Sequence, residues 1–151
     1  MNLSLVSQKP SSPTTLGVLA ALRAASEESD YVTEVRVAQP QQWQPSKDEA
    51  AILLLEEEGA AWPAPLWPAG GSALGLPVLP LLVHRQYEHT PQGPDVRDPH
   101  FYFVSNGILL DEAELADPAC SLVLKSKFES YFPLLSRLIL LRQRQPGVLS
   151  S

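Results

Sequence analysis

The sequence predicts an α/β or α+β fold, a single domain in which one mixed, partly antiparallel sheet packs against an N-terminal and a C-terminal helix. Three observations lead to this prediction. Apolar residues recur with helical spacing near both ends of the chain, short apolar runs typical of buried strands lie between them, and Asn106-Gly107 separates two runs of strand-forming residues. A chain of 151 residues with 44% hydrophobic residues is long enough to form one domain with a substantial core.

The N-terminal segment 1–13 is rich in Ser, Gln, Lys and Pro, and we expect it to be a flexible arm ahead of a globular domain at 14–144. The domain is predicted to begin with a helix, because Thr14 or Thr15 can cap a segment that continues to about Ser29. Leucine and alanine residues in this segment form one apolar stripe, which is typical of a helix packed on a sheet.

The next two segments are predicted to be strands. From Tyr31 to Ala38 apolar and polar residues alternate, which is typical of a half-buried strand. Residues 46–58 fit a helix, because Ser46-Lys47-Asp48-Glu49 has the spacing of a capping box, or a strand, because residues 50–55 are continuously apolar. We favour the strand, since the glutamates at 56–58 would place negative charge at the negative end of a helix.

Two further apolar segments are expected to complete the sheet. Leu76 to His84 is interpreted as a buried strand in which Pro77 and Pro80 confine the hydrogen-bonded ladder to the later part. Asn-Gly is the strongest short-range signal for a β-hairpin, so residues 101–110 are predicted to form two antiparallel strands.

The C-terminal part is predicted to be mainly helical. Asp111 to Asp117 fits one acidic turn, Ser121 to Leu124 a short strand, and Ser126 to about Arg144 a helix with a strong apolar stripe. Pro133 should kink this helix or mark its true first turn. Residues 145–151 are expected to form a tail.

Charge and cysteine content exclude several classes of function. The net charge of −6 argues against binding of nucleic acid and of anionic membranes. The charge is uneven, because residues 118–151 carry five cations and one anion, a net +4, whereas residues 1–117 carry six cations and sixteen anions, a net −10. A single cysteine allows no intramolecular disulfide, and no segment resembles a signal peptide or a membrane span, so we expect a cytoplasmic protein.

The most distinctive segment is Trp62-Pro63-Ala64-Pro65-Leu66-Trp67-Pro68, in a chain with 15 prolines. Proline fixes the backbone, so the tryptophans here stand on stiff, extended chain, where they either cover the protein's own sheet or contact a partner. Aromatic residues in loops and cations near the C-terminus are our candidate interaction residues: Trp43, Trp62, Leu66, Trp67, Tyr87, Arg137, Arg142 and Arg144.

No motif predicts a catalytic residue or a cofactor. His84, His89 and His100 share a polar window with carboxylates, and His84 and His89 are the candidates for a metal site. Their spacing matches no established ligand pattern, so a solvated loop is the favoured interpretation. Cys120 has no base placed near it by sequence and is interpreted as a small buried hydrophobe.

Two hypotheses follow from these features. The preferred one is a non-enzymatic, acidic, oligomeric or adaptor subunit of a larger complex, by analogy with phage-tail or secretion-type particles, which binds protein or its own copies. The alternative is a small α/β regulatory or enzymatic domain with a site in the loop at 85–100.

Overall fold

A computed structural model of the chain describes residues 1–56, 75–84, 101–105 and 107–144, and the statements below concern these residues. They form an α/β fold, a parallel six-stranded sheet with two α-helices. In chain order the elements are β1 (Asn2–Ser7), α1 (Pro13–Glu27), β2 (Glu34–Ala38), β3 (Glu49–Leu55), β4 (Leu76–His84), β5 (Phe101–Phe103), β6 (Ile108–Asp111) and α2 (Pro118–Arg144). Short 3-10 turns lie at Pro40–Gln42 and Glu114–Ala116.

The strand order is β2-β1-β3-β4-β5, with β6 also paired to β4. The prediction of a flexible N-terminal arm is therefore wrong, because β1 lies between β2 and β3, with Leu3 paired to Val35 on one side and to Ala50 on the other. Leu3 and Leu5 are fully buried. A strand this short gives little local signal, and its burial depends on partners that come later in the chain.

The predicted antiparallel hairpin is also wrong. Both β5 and β6 run parallel to β4 along the same edge, with Leu76 paired to Phe101 and Leu81 to Ile108. The chain is interrupted at this point rather than reversed, and Gly107 takes a φ of 129°, which favours glycine. Asn106 lies outside the described residues.

Pro80 gives a physical reason for the break between β5 and β6. The carbonyls of Val78 and His84 accept hydrogen bonds from the chain on this edge, from the amides of Val104 and Glu112 at 3.0 Å each. The backbone N–H and C=O groups of the even-numbered residues of β4 therefore point towards β5 and β6. Pro80 is one of these residues, and it has no N–H to donate there. The ladder nonetheless begins at the first residue of β4, so the prediction that the prolines confine it to the later part is wrong.

Side chains on the two faces of the sheet belong to two clusters. The first face carries Leu3, Ile52 and Leu81, which pack with α1 and α2. The second face carries Val6, Leu53 and Val78, which pack with Trp43 from the connection between β2 and β3. The prediction that residues 46–58 hold a strand rather than a helix is confirmed. The early helix is confirmed too, but its cap is Ser12, and Thr14 and Thr15 lie inside the helix.

Helix α2 is longer than predicted. It begins at Pro118, after Asp117, whose Oδ1 accepts a hydrogen bond from the amide of Ala119 at 2.9 Å, so residues 121–124 are helical and not a strand. Pro133 lies inside the helix, so it does not mark the first turn. It is on the exposed side, where water can solvate the backbone carbonyl that its missing N–H leaves without a donor. Within the described part of the chain, neither helix combines the length and the apolar character needed to cross a membrane.

Candidate functional site

Three places in the fold bring polar or exposed apolar residues together. The first lies at the carboxyl ends of β1 and β3. The chain leaves β1 for β2 on one side and leaves β3 for β4 on the other, so these neighbouring ends form a topological switch point. Open α/β sheets bind ligands in the crevice at such a point, and a helix N-terminus beside it favours anions.

Hydroxyl groups at this switch point converge on one carboxylate. Ser12 caps α1 by accepting a hydrogen bond from the amide of Thr15 at 3.0 Å, and its own hydroxyl lies 2.7 Å from Glu56 Oε1. Thr15 Oγ1 lies 2.7 Å from the same carboxylate oxygen and 2.8 Å from the carbonyl oxygen of Lys9. Ser7, the last residue of β1, lies 2.9 Å from Thr15 through its hydroxyl oxygen.

These contacts fill the switch point with protein. The carboxylate of Glu56 occupies the anion-favouring end of α1, where the unpaired amides and the helix dipole provide positive potential. The cavity beside it, bounded by Ser7, Lys9, Leu54 and others, measures about 10 Å³, which is the space of one water molecule. These hydrogen bonds therefore link β1, the start of α1 and the end of β3. The hydroxyls of Ser12 and Thr15 both contact the Glu56 carboxylate, so neither is placed as a nucleophile.

The second place is a buried ion pair on the second face of the sheet. The Arg36 guanidinium donates a hydrogen bond to Glu49 Oε1, and the indole Nε1 of Trp43 donates to Glu49 Oε2 at 2.9 Å. Glu49 is 0% exposed, whereas the Arg36 side chain is 47% exposed. One carboxylate is thus removed from water and held by a cation that reaches it from the surface.

The register explains how Arg36 reaches Glu49 across an intervening strand. Arg36 of β2 pairs with Ser4 of β1, and Ser4 pairs with Ala51 of β3, so small side chains lie along its path. A pocket of about 630 Å³ opens beside the guanidinium, lined by Ser4, Pro10, Arg36, Val37, Ala38, Gln39, Gln42, Trp43 and Gln44.

The third place is a surface of α2. Five large apolar side chains point to solvent, and we call them the outer α2 surface: Leu122, Val123, Leu134, Leu140 and Leu141. Leu122 is 67% exposed and Val123 is 56% exposed. The opposite side of the helix is buried through a separate set of residues that includes Phe128 and Phe132.

Arg137 and Arg144 are exposed on α2. Arg142 is half-buried, and burial lowers the pKa of its guanidinium. Trp43 is 2% exposed and stacks on Phe101 at 6.1 Å between ring centroids, so its prediction as a surface anchor is wrong. The other residues predicted to form a site lie outside the described part of the chain: Trp62, Leu66, Trp67, Tyr87, His89, His100 and the loop at 85–100.

His84 is buried at the end of β4, and Cys120 is half-buried at the start of α2. Burial raises the pKa of the Cys120 thiol, and the neighbouring Glu114 and Asp117 carboxylates raise it further, which is opposite to the activation that a nucleophile needs. Residues 1–56, 75–84, 101–105 and 107–144 contain no group of three or more His, Cys, Asp or Glu side chains placed to hold a metal ion.

Apart from Trp43, the residues that form these three places are not among those predicted from the sequence. The pairing of Arg36 with Glu49 requires the strand order, and the engagement of Glu56 requires β1 and β3 to be neighbours. The outer α2 surface did have a sequence signal, because Leu122, Val123 and Leu134 lie off the apolar stripe that marks the buried side of the helix. Comparison of the chain with protein-family models, with curated proteins and with solved structures found no match.

Proposed function

We propose that the protein is a non-enzymatic subunit that acts by binding protein, and that the outer α2 surface is its contact. The observation that carries this proposal is the exposure of five large apolar side chains on one helix. Several large apolar side chains exposed on one element are typical of interaction sites, whereas single exposed leucines need no explanation. Exposed arginines at 137 and 144 supplement it, since arginine is enriched in protein interfaces.

The filled switch point supports the same proposal. An open α/β sheet ordinarily offers this crevice to a ligand, and here the Glu56 carboxylate and the hydroxyls of Ser12 and Thr15 satisfy one another within it. A phosphate-bearing substrate would have to displace a carboxylate of the same sign of charge.

The test is the native mass of the tagged full chain in extracts of its source cells. We expect the wild-type chain to elute in a complex larger than the monomer, and Leu122→Glu to release it. Leu16→Glu is the matched control, because Leu16 is an exposed leucine near the start of the other helix. A wild-type chain that elutes as a monomer, or a complex that survives Leu122→Glu, would refute the proposal.

A further inference from the structure

Four of the five apolar residues of the outer α2 surface are placed symmetrically along the helix, whereas the position that corresponds to Leu134 is Glu129. Leu122 and Val123 lie near its start, and Leu140 and Leu141 near its end. Leu122 and Leu140 are about five helical turns apart, as are Val123 and Leu141, so all four share one side of the helix. The pairs 122/141 and 123/140 have the same midpoint, between positions 131 and 132.

We propose that a second copy of this chain occupies the surface, with the two α2 helices antiparallel about a two-fold axis at that midpoint. This inference rests on the proposed function and names the partner. Antiparallel pairing places Leu122 against Leu141 of the second copy, and Val123 against Leu140 of the second copy, at both ends of the contact. A two-fold contact must be self-complementary in this way, because the same patch serves both copies.

The middle of the helix permits the close approach that such packing needs. On this side of the helix the exposed residues in the middle are Ser126, Ser130, Pro133 and Arg137, and the two nearest the midpoint, Ser130 and Pro133, are small. The two-fold axis places Arg137 opposite the small Ser126 of the second copy. Packed helices lie about 8–10 Å apart, and small residues at the crossing point favour the lower end of this range.

Charge selects the antiparallel arrangement over a parallel one. The chain just before α2 carries Glu114 and Asp117, both exposed, and the helix ends with Arg142 and the exposed Arg144. In the antiparallel pair Arg144 lies beside Glu114 and Asp117 of the second copy. In a parallel pair each acidic end would face its like, and so would each basic end.

The first experiment measures the mass of the purified full chain by light scattering after size exclusion, over a range of concentrations. We expect a dimer for the wild type and for Leu16→Glu, and a rise of at least about tenfold in the dimer dissociation constant for Leu122→Glu, which places a charge in the contact twice. Circular dichroism verifies that each variant is folded, and Leu140→Glu serves as a second disruption. A monomer at every concentration, or a dimer that tolerates both substitutions, would overturn the proposal.

The second experiment determines the helix orientation. Single cysteines replace Ser130 or Ser126 in a Cys120→Ser background, and a bismaleimide linker of about 10 Å is added. The two copies of residue 130 would be offset by about 4.5 Å along the helix axis and lie about 10 Å apart, whereas the two copies of residue 126 would lie about 18 Å apart. We expect the linker to join Ser130→Cys chains and not Ser126→Cys chains, while equal linking of both, or of neither, would contradict the antiparallel pair.

The third experiment exchanges charges at the ends of the contact. Glu114→Lys and Arg144→Glu should each weaken the dimer by a few-fold, and the double variant should recover the wild-type dissociation constant. Additive weakening in the double variant would show that these groups do not meet, and would overturn the arrangement.

Failure of this inference can be told apart from failure of the proposed function. If the purified chain is a monomer while the chain in extracts is in a larger complex sensitive to Leu122→Glu, the second copy is excluded and the protein-binding function stands. If both measurements give a monomer, both proposals fail.

Discussion

Replacing Arg36 with methionine tests whether a surface cation supports a buried carboxylate. Methionine keeps much of the length of the side chain and removes the charge. Glu49 is 0% exposed and would lose its cation, keeping the hydrogen bond from the Trp43 indole at 2.9 Å. Removing one partner of a buried ion pair costs about 3–5 kcal/mol, because the remaining charge is left in a medium that solvates it poorly.

The expected cost lies near the lower end of that range. The Arg36 side chain is 47% exposed, so water already screens the guanidinium, and some water can follow into the space that methionine leaves. We therefore expect Arg36→Met to lower the free energy of unfolding by about 3 kcal/mol at neutral pH. For a chain of this size, that corresponds to a fall in Tm of about 10 °C.

The matched control is the double variant Arg36→Met with Glu49→Gln. Glutamine removes the buried charge and keeps an oxygen that can accept the Trp43 indole hydrogen, so we expect the double variant to recover most of the loss. Urea unfolding followed by circular dichroism gives both values, with equal slopes required for the comparison. A loss below about 1 kcal/mol for Arg36→Met, or a double variant less stable than the single one, would refute the reasoning.

Two further predictions concern the switch point and the cysteine. Thr15→Val, which keeps the shape of the side chain and removes its four hydroxyl contacts, should cost about 1–3 kcal/mol in urea unfolding, whereas Thr14→Val, whose side chain lies outside this set of hydrogen bonds, should cost less; equal losses would contradict the role of the hydroxyl. Cys120 should react with iodoacetamide more slowly than free cysteine at the same pH, and faster after Glu114→Gln, because burial and then the carboxylates of Glu114 and Asp117 raise the pKa of the thiol above 9.0. Because the pKa of this thiol is higher in the folded state than in the unfolded state, the stability linked to it is present below pH 9.0 and is lost as the pH rises through the folded pKa. Unfolding measured at increasing alkaline pH tests this. A reaction rate with iodoacetamide equal to that of free cysteine would contradict the raised pKa.

Elements with a strong local pattern could be predicted from the sequence. The run at 50–55 is apolar at every position, so a strand buried on both faces explains it, and β3 is such a strand. The early helix has a cap and one apolar stripe, and both features act within a few residues.

Elements decided by distant partners could not be predicted in this way. β1 is only six residues long, and its central place depends on pairing with β2 and β3. At Gly107 the Asn-Gly signal favours a turn, yet an edge strand parallel to β4 continues beyond it, and Leu82 of β4 lies against the glycine, 2.9 Å from where a Cβ would stand. A local preference of this size is overridden when the sheet offers a row of backbone partners.

The burial of Trp43 follows from the same strand order and bears on function. The chain must return from the edge strand β2 to β3 across β1, and α1 already covers the first face, so the connection covers the second face. Ser4 and Ala51 leave that face shallow in its middle, and a tryptophan supplies the missing apolar volume while its indole N–H holds Glu49. A residue that does both is part of the core. Apolar surface for a partner must then come from elsewhere, and among the described residues α2 offers the longest such stretch. That is why the predictions for Leu122, Leu140 and the two serines between them bear most directly on what this protein does.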